Sequence, residues 1–269
     1  MTLIYVIPFL CMKERGWIKM SENIEKVEEK NHSLKERFSF SRLKLFEECP
    51  FRFFKKYVEG YEEPVTLPLA LGKATHRGIQ DKINGIPHEE AVINGYIEAE
   101  FFPGLTYEEI SVLVNNAKLP VEPVHTEMYF ELPLIPSDEH SPKINGYIDV
   151  ISTKGDFIID WKTNRKMYHV LDTYQVGLYA WAAHCLYGVQ NVVGTLYFLR
   201  FKKQSTHVFT FQDMENARIW ALNLAEAIRA KLDLYEAMPN DVEFIFPAKP
   251  SANCKSCPFV MECYRRFPS

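Results

Sequence analysis

Residues 145–163 read NGYIDVISTKGDFIIDWKT. Two runs rich in Ile, Val, Phe and Tyr flank Lys154-Gly155-Asp156, and apolar runs joined by a tight, Gly-containing polar link are the signature of a β-hairpin. Three charged residues interrupt these strands: Asp149, Asp160 and Lys162. Strand side chains alternate with period two, so Asp160 and Lys162 share one face while Ile159 and Trp161 share the other. Closing the hairpin at residues 154–156 brings Asp149 within about one residue of the position opposite Asp160. Two carboxylates and an ammonium then crowd one patch of otherwise apolar strand. Burying such groups costs several kcal/mol each unless they are paired or hold a cation. D-x-K alone also fits a solvated strand face; the Asp149 partner and the apolar flanks favour a site.

The rest of the chain sets the frame around this hairpin. Its 269 residues suffice for one large α/β domain, and 47% hydrophobic with 25% charged residues is ordinary for a globular protein. A net charge of −4 excludes a uniformly basic nucleic-acid coat but not a local basic groove. No apolar run approaches the roughly 20 residues that span a membrane. Thr2 to Cys11 is apolar, but no basic segment precedes it and no small-residue cleavage site follows, so a cytoplasmic location is expected. A further reading starts translation at Met20, because codons for Lys13-Glu14-Arg15-Gly16 can spell a purine-rich ribosome-binding site. Residues 1–37 therefore read as a leader, disordered or partly upstream sequence. Residues 38–269 read as one domain that includes a Cys-rich tail at 250–269.

In chain order, Ser39 or Ser41 can cap a helix carrying Leu43, Leu45 and Phe46, and Pro50 can open a second helical segment, FRFFKKYV. There Arg52, Lys55 and Lys56 interleave with aromatics. Together with Lys202, Lys203, Arg265 and Arg266 they could form a surface that tracks a nucleic-acid strand. A helix over 69–83 carries Gly72, His76, Ile79 and Ile83 on one face, which turns His76 inward; a lone inward histidine is more often a core residue than a ligand. Residues 84–120 read as an inserted helical region without a motif. A strand over 127–134 puts Met128, Phe130, Leu132 and Leu134 on one face. A helix over 172–186 places Gln175 and Tyr179 four residues apart on one face. A hairpin turns at residues 202–204, and a long helix runs over 214–237.

Six cysteines are present. Cys11 and Cys185 read as spares, the latter as a small core residue. Cys254, Cys257 and Cys263 form C-x2-C-x5-C, one thiolate short of a zinc or iron–sulfur site. Cys49 is the candidate fourth, since Cys49-Pro50 matches the context of Cys257-Pro258.

These elements in this order resemble the RecB/AddB-like branch of the PD-(D/E)XK nuclease superfamily, and especially its iron–sulfur members, among them the exonucleases of CRISPR adaptation modules. The resemblance runs from Ser39 to Cys263. It rests on S-x-S-x-L then Cys-Pro (Ser39 to Pro50), G-x-x-x-H (Gly72 to His76), G-Y-I-D (Gly146 to Asp149), D-W-K-T (Asp160 to Thr163), Q-x-x-x-Y (Gln175 to Tyr179) and the cysteine tail. It implies that His76, Asp149 and Asp160 bind a divalent metal, with the Trp161 carbonyl as a further ligand. It gives Lys162 the task of orienting or activating the attacking water. Gln175 and Tyr179 would steady the site and the scissile phosphate, and Cys49, Cys254, Cys257 and Cys263 would hold a 4Fe–4S cluster. Carboxylate oxygens suit Mg²⁺ or Mn²⁺, and one imidazole shifts the balance toward Mn²⁺.

The expected fold is a mixed central sheet flanked by helices, a restriction-endonuclease-like core with the Cys-rich tail packed on the N-terminal helix. The expected function is a Mg²⁺- or Mn²⁺-dependent deoxyribonuclease, an exonuclease on DNA ends in repair, recombination or CRISPR adaptation. Its partners would be single-stranded or end-resected DNA and helicase or CRISPR adaptation proteins, with no membrane. The competing expectations are a DNA-end-binding subunit that is inactive outside a partner complex, and a structural zinc ion at the cysteines.

Overall fold

Strand β3 (Lys143–Ser152) is the hub of a six-stranded mixed sheet in the computed structural model, which describes residues 34–267. The other strands are β1 (Arg37–Ser39), β2 (Val124–Pro133), β4 (Phe157–Lys162), β5 (Val192–Phe198) and β6 (Lys203–Phe209). Along one edge β3 pairs antiparallel with β2, from Pro133↔Lys143 to Val124↔Ser152. Along its other edge it pairs first with β1, in parallel, and then with β4, antiparallel. β4 and β5 run parallel, and β5 and β6 close an antiparallel hairpin. The β4–β5 pair needs a crossover. Helix α6 (Gln175–Tyr187) supplies it, with an unbroken buried run from Val176 to Ala183.

Helices cover both faces. On one face Phe38, Ile148, Ile158 and Leu196 meet Phe46 of α1 (Phe40–Glu48), Phe53 of α2 (Pro50–Phe53), α6 and α7 (Phe211–Ala237). On the other, Val150, Trp161 and Tyr197 meet α3 (Leu67–Ile83), α4 (His88–Glu98) and α5 (Tyr107–Asn116). The local signals act as expected: Ser39 Oγ accepts the Arg42 N–H, Pro50 opens α2, and Thr210 with Asp213 forms a capping box for α7. The inserted region, motif-free as sequence, braces α3. A Cβ at Gly95 of α4 would collide with the Ala74 carbonyl of α3, so glycine permits the close approach. Among the described residues, no helix is long and apolar enough to cross a membrane.

The C-terminal tail folds back onto the N-terminal helices, through α8 (Val242–Ile245) and α9 (Val260–Arg266). Phe267 packs edge-on to Phe51 with ring centroids 5.1 Å apart, and Lys249 Nζ donates to the Glu47 carbonyl at 3.0 Å. Three expectations need correction. The fold starts before Phe38, because Leu34 is buried and β1 begins at Arg37. The β5–β6 turn lies at residues 199–202, with Lys203 and Gln204 already in β6. Cys185 is exposed rather than in the core. The apolar run at residues 2–11, Cys11 and the Met20 start lie outside the described residues.

Candidate metal centre and active site

β3 and β4 pair at two rungs only, Val150↔Ile159 and Ile151↔Ile158. The next rung in that register is Asp149 opposite Asp160, and there the ladder stops. Asp149 Oδ2 accepts the Trp161 N–H at 3.1 Å, so a side chain replaces the missing backbone partner. β2 is irregular at the same level. Glu127 has φ 49° and no rung of its own, although Thr126↔Val150 and Met128↔Ile148 keep one register on both sides of it. This left-handed residue reverses the alternation: Met128 and Phe130 pack with the α1/α6 core, whereas Thr126 Oγ1 accepts from Gln80 of α3 at 3.4 Å. Such a residue costs about 1–3 kcal/mol and persists where its surroundings hold it. Here it swings a carboxylate toward Asp149.

His76 projects from α3 onto this rung. Its Nε2 lies 2.8 Å from the Trp161 carbonyl, which only accepts, so Nε2 carries a proton; its Nδ1 stands 3.2 Å from Asp149 Oδ2. Burial opposes charging the ring, but the adjacent Asp149 carboxylate outweighs it and lifts the His76 pKa to about 9. Burial likewise opposes ionising Asp149, and the His76 imidazolium keeps its carboxyl below the usual range. Glu127 moves the other way, pushed up by burial and then by Asp149. The ligand atoms of His76, Glu127 and Asp149 lie within 4.8 Å of one another, at a cleft of about 660 Å³ that Lys73 and Arg77 also line.

Asp160 and Lys162 share their strand face with Ile158 and point toward α6. Asp160 is 1% exposed, and its Oδ2 meets Lys162 Nζ at 2.6 Å. Burial pushes its pKa up to about 6, against the pull of Lys162. The ammonium is opposed by burial too, but Asp160 keeps its pKa above the ordinary lysine value. Lys162 Nζ donates to Gln175 Oε1 at 2.9 Å, and Gln175 Nε2 donates to the Tyr179 hydroxyl at 3.0 Å. Tyr179 is 7% exposed under Gly146, which places it behind Lys162 rather than at the cleft.

The donors suit a hard divalent cation. Two carboxylates and one imidazole, those of Glu127, Asp149 and His76, gather within ligand reach of one another, with the Trp161 carbonyl beside His76. The 2.8 Å between His76 Nε2 and the Trp161 oxygen is also close to the spacing of adjacent ligands whose metal bonds are about 2.1 Å long.

The model of the PD-(D/E)XK nuclease superfamily matches residues 37–264. The chain belongs to that superfamily. This nuclease therefore comes from a group of metal-dependent phosphodiester hydrolases, and its six-stranded sheet between two helical layers fits their restriction-endonuclease-like core. No curated protein sequence matches the nuclease. A solved structure titled "Crystal structure of SSO0001" is similar at 15% identity and a TM-score of 0.29, covering 84% of this chain and 95% of that one. A likeness that loose adds nothing to the topology.

Away from the rung, Cys49, Cys254 and Cys257 line one small pocket at the start of α2. Burial and then the neighbouring thiols Cys49, Cys254 and Cys257 push up the Cys263 thiol, so the four cysteines are neighbours. The proposed basic surface does not form as expected. Lys55 is 2% exposed and is held by Glu59 and Glu262; Arg52 and Lys56 share Glu63; and Arg266 pairs with Glu243 and Glu262. Lys55 and Arg266 thereby hold the tail, while Arg52 and Lys56 are drawn to Glu63, which is only 15% exposed.

Proposed function

We propose that the protein is a Mg²⁺- or Mn²⁺-dependent deoxyribonuclease that acts as an exonuclease on DNA ends, with a structural 4Fe–4S cluster at Cys49, Cys254, Cys257 and Cys263. The observation that carries the metal-dependent chemistry is the opened rung: His76, Glu127 and Asp149 on one side of the strand gap, Asp160 and Lys162 on the other. Exonuclease action and DNA ends rest on the motif order, as do helicase or CRISPR adaptation partners.

His76, Asp149, Asp160 and the Trp161 carbonyl would hold the metal, and Glu127 joins them. A bound divalent ion would supply charge neutralisation at the phosphate and lower the pKa of a coordinated water. Lys162, kept protonated by Asp160, is a donor rather than a base; it positions the attacking water and faces the charge developing on the phosphoryl oxygens. Gln175 fixes the ammonium, and Tyr179 fixes Gln175. Both are positioning residues. The choice of an iron–sulfur cluster over zinc rests on the motif order, and the four thiols are neighbours at the start of α2.

Cleavage of end-labelled linear and of circular DNA with Mn²⁺ tests the activity. Digestion restricted to linear DNA is expected, and binding without any cleavage would favour the end-binding subunit instead. The metal carries its own pH signature. His76 must shed the proton that Asp149 holds on it up to about pH 9, so binding releases a proton below that value. Calorimetry should show Mn²⁺ affinity rising about tenfold per pH unit between pH 7 and 9, then levelling. Glu127→Gln should weaken Mn²⁺ binding by at least about tenfold, and an unchanged isotherm would remove Glu127 from the ligand set.

A further inference from the structure

One alternation step from the metal rung, about 7 Å along the same two strands, Tyr129 of β2 stands directly opposite Tyr147 of β3. Their rings lie 5.2 Å apart at 53°, and they are 49% and 56% exposed. Neighbouring Phe130 and Ile148 point into the α1/α6 core, so the tyrosines stand on the opposite face, the one on which α3 packs and from which His76 reaches the site. Tyr129 Oη donates to Glu131 Oε2 at 3.0 Å, which fixes its ring. The following rung pairs Glu131 with Asn145. Glu131 is shared by Arg37 at 3.4 Å and Lys143 at 3.8 Å, whose side chains are 56% and 43% exposed, so two cations face one carboxylate. Carboxylates at the metal rung, two open aromatic rings, then net positive charge: that order runs down one sheet face.

We propose that Tyr129 and Tyr147 are a base-stacking platform for a single-stranded segment of the substrate, flanking the scissile phosphate, with Arg37 and Lys143 receiving a phosphate beyond it. The assignment rests on the nuclease reading and names its substrate class. The interior of a duplex buries its base faces in its own stack, so a ring pair lying along the path of a strand engages bases that are unpaired and unstacked. Stacking tolerates any base because every base has a π face, and tyrosine offers its ring at little entropic cost. The neighbouring positive charge fits a polyanion and gives an apolar protein partner nothing to recognise.

The test is equilibrium binding of two labelled strands of equal length and charge, oligo(dT) and an abasic strand, with Ca²⁺ present. Each base stacked on an aromatic ring is worth about 5- to 150-fold in affinity. The wild-type protein should prefer oligo(dT) by at least about tenfold. In a Tyr129→Thr/Tyr147→Thr variant, which keeps strand-favouring residues, that ratio should fall below about twofold through lost dT binding. Tyr147→Trp should restore it. An unchanged ratio in a folded double variant overturns the proposal, as does a change in oligomeric state with dT affinity intact, which would make the pair a self-association surface. If the double threonine variant does not fold, Tyr129→Leu/Tyr147→Leu, apolar but without a π face, must still lose the preference. Cleavage assays fail separately: a wild-type protein that stacks dT yet cuts no DNA sinks the nuclease reading and leaves the platform standing.

Discussion

Lys162→Ala is expected to lower DNA cleavage by at least about 10²-fold at saturating Mn²⁺, with DNA affinity changed by less than about threefold. The ammonium lies between Asp160, at 2.6 Å, and Gln175 Oε1, at 2.9 Å, in a site where little water can replace it. Its removal leaves the metal donors in place but takes away the donor aimed at the nucleophile and at the charge that builds on the phosphate. Saturating metal matters because Asp160 depends on Lys162 for its counter-charge; without it, burial would keep the carboxyl protonated to higher pH and raise the metal requirement. Single-turnover assays across a Mn²⁺ series separate these effects. Gln175→Ala should cost less, about tenfold, and in kcat rather than KM, because Gln175 acts through Lys162. Cleavage by Lys162→Ala within about threefold of wild type would remove Lys162 from the chemistry.

Lys162 was legible because the hairpin obeys simple strand rules on that side. Period-two alternation put Asp160 with Lys162 and Trp161 with the other core, and the ladder ends one rung short of Asp149 and Asp160. His76 emerged from helical spacing, though its contacts did not. Glu127 was hidden by the same alternation that worked for β4: a regular β2 places it as an ordinary strand residue, and no pattern reveals a φ of 49°. The one available signal was an acidic residue at the start of an apolar strand two elements away from His76.

Lys55 was misread for a different reason: it stands four residues after buried Phe51, so helical spacing itself turns it inward, where Glu59 and Glu262 pair it. Periodicity locates a site well where the backbone is regular. At this site the departures from regularity aim the groups, and they depend on tertiary contacts such as Gly95 against Ala74 and His76 against Asp149.

The cysteine set offers the largest expected effect on stability. Cys49 sits at the joint between α1 and α2, and the tail reaches it from the far end of the chain; Asn253 donates to Glu48 at 3.4 Å across 205 positions. A cluster shared by Cys49 and the tail would close a loop of that length, worth roughly 4–5 kcal/mol if the loop-entropy relation for disulfides transfers to a metal clip. Cys49→Ser should therefore lower the melting temperature by about 10–20 °C and bleach the brown colour of protein purified without oxygen. Non-covalent contacts persist in that variant, chiefly Lys55 with Glu262 at 2.8 Å and Phe51 with Phe267, so the tail should loosen and become protease-sensitive before the sheet unfolds. The metal rung is built from α3 and the β2–β4 strands and includes no cysteine. Mn²⁺ affinity measured below the new melting point should stay within about threefold of wild type, which separates a structural cluster from a catalytic one. Full iron and sulfide content in Cys49→Ser would place the fourth ligand at another residue. A zinc content of one per chain with no iron, again after oxygen-free purification, would make the clip a zinc site with the same loop-closing role.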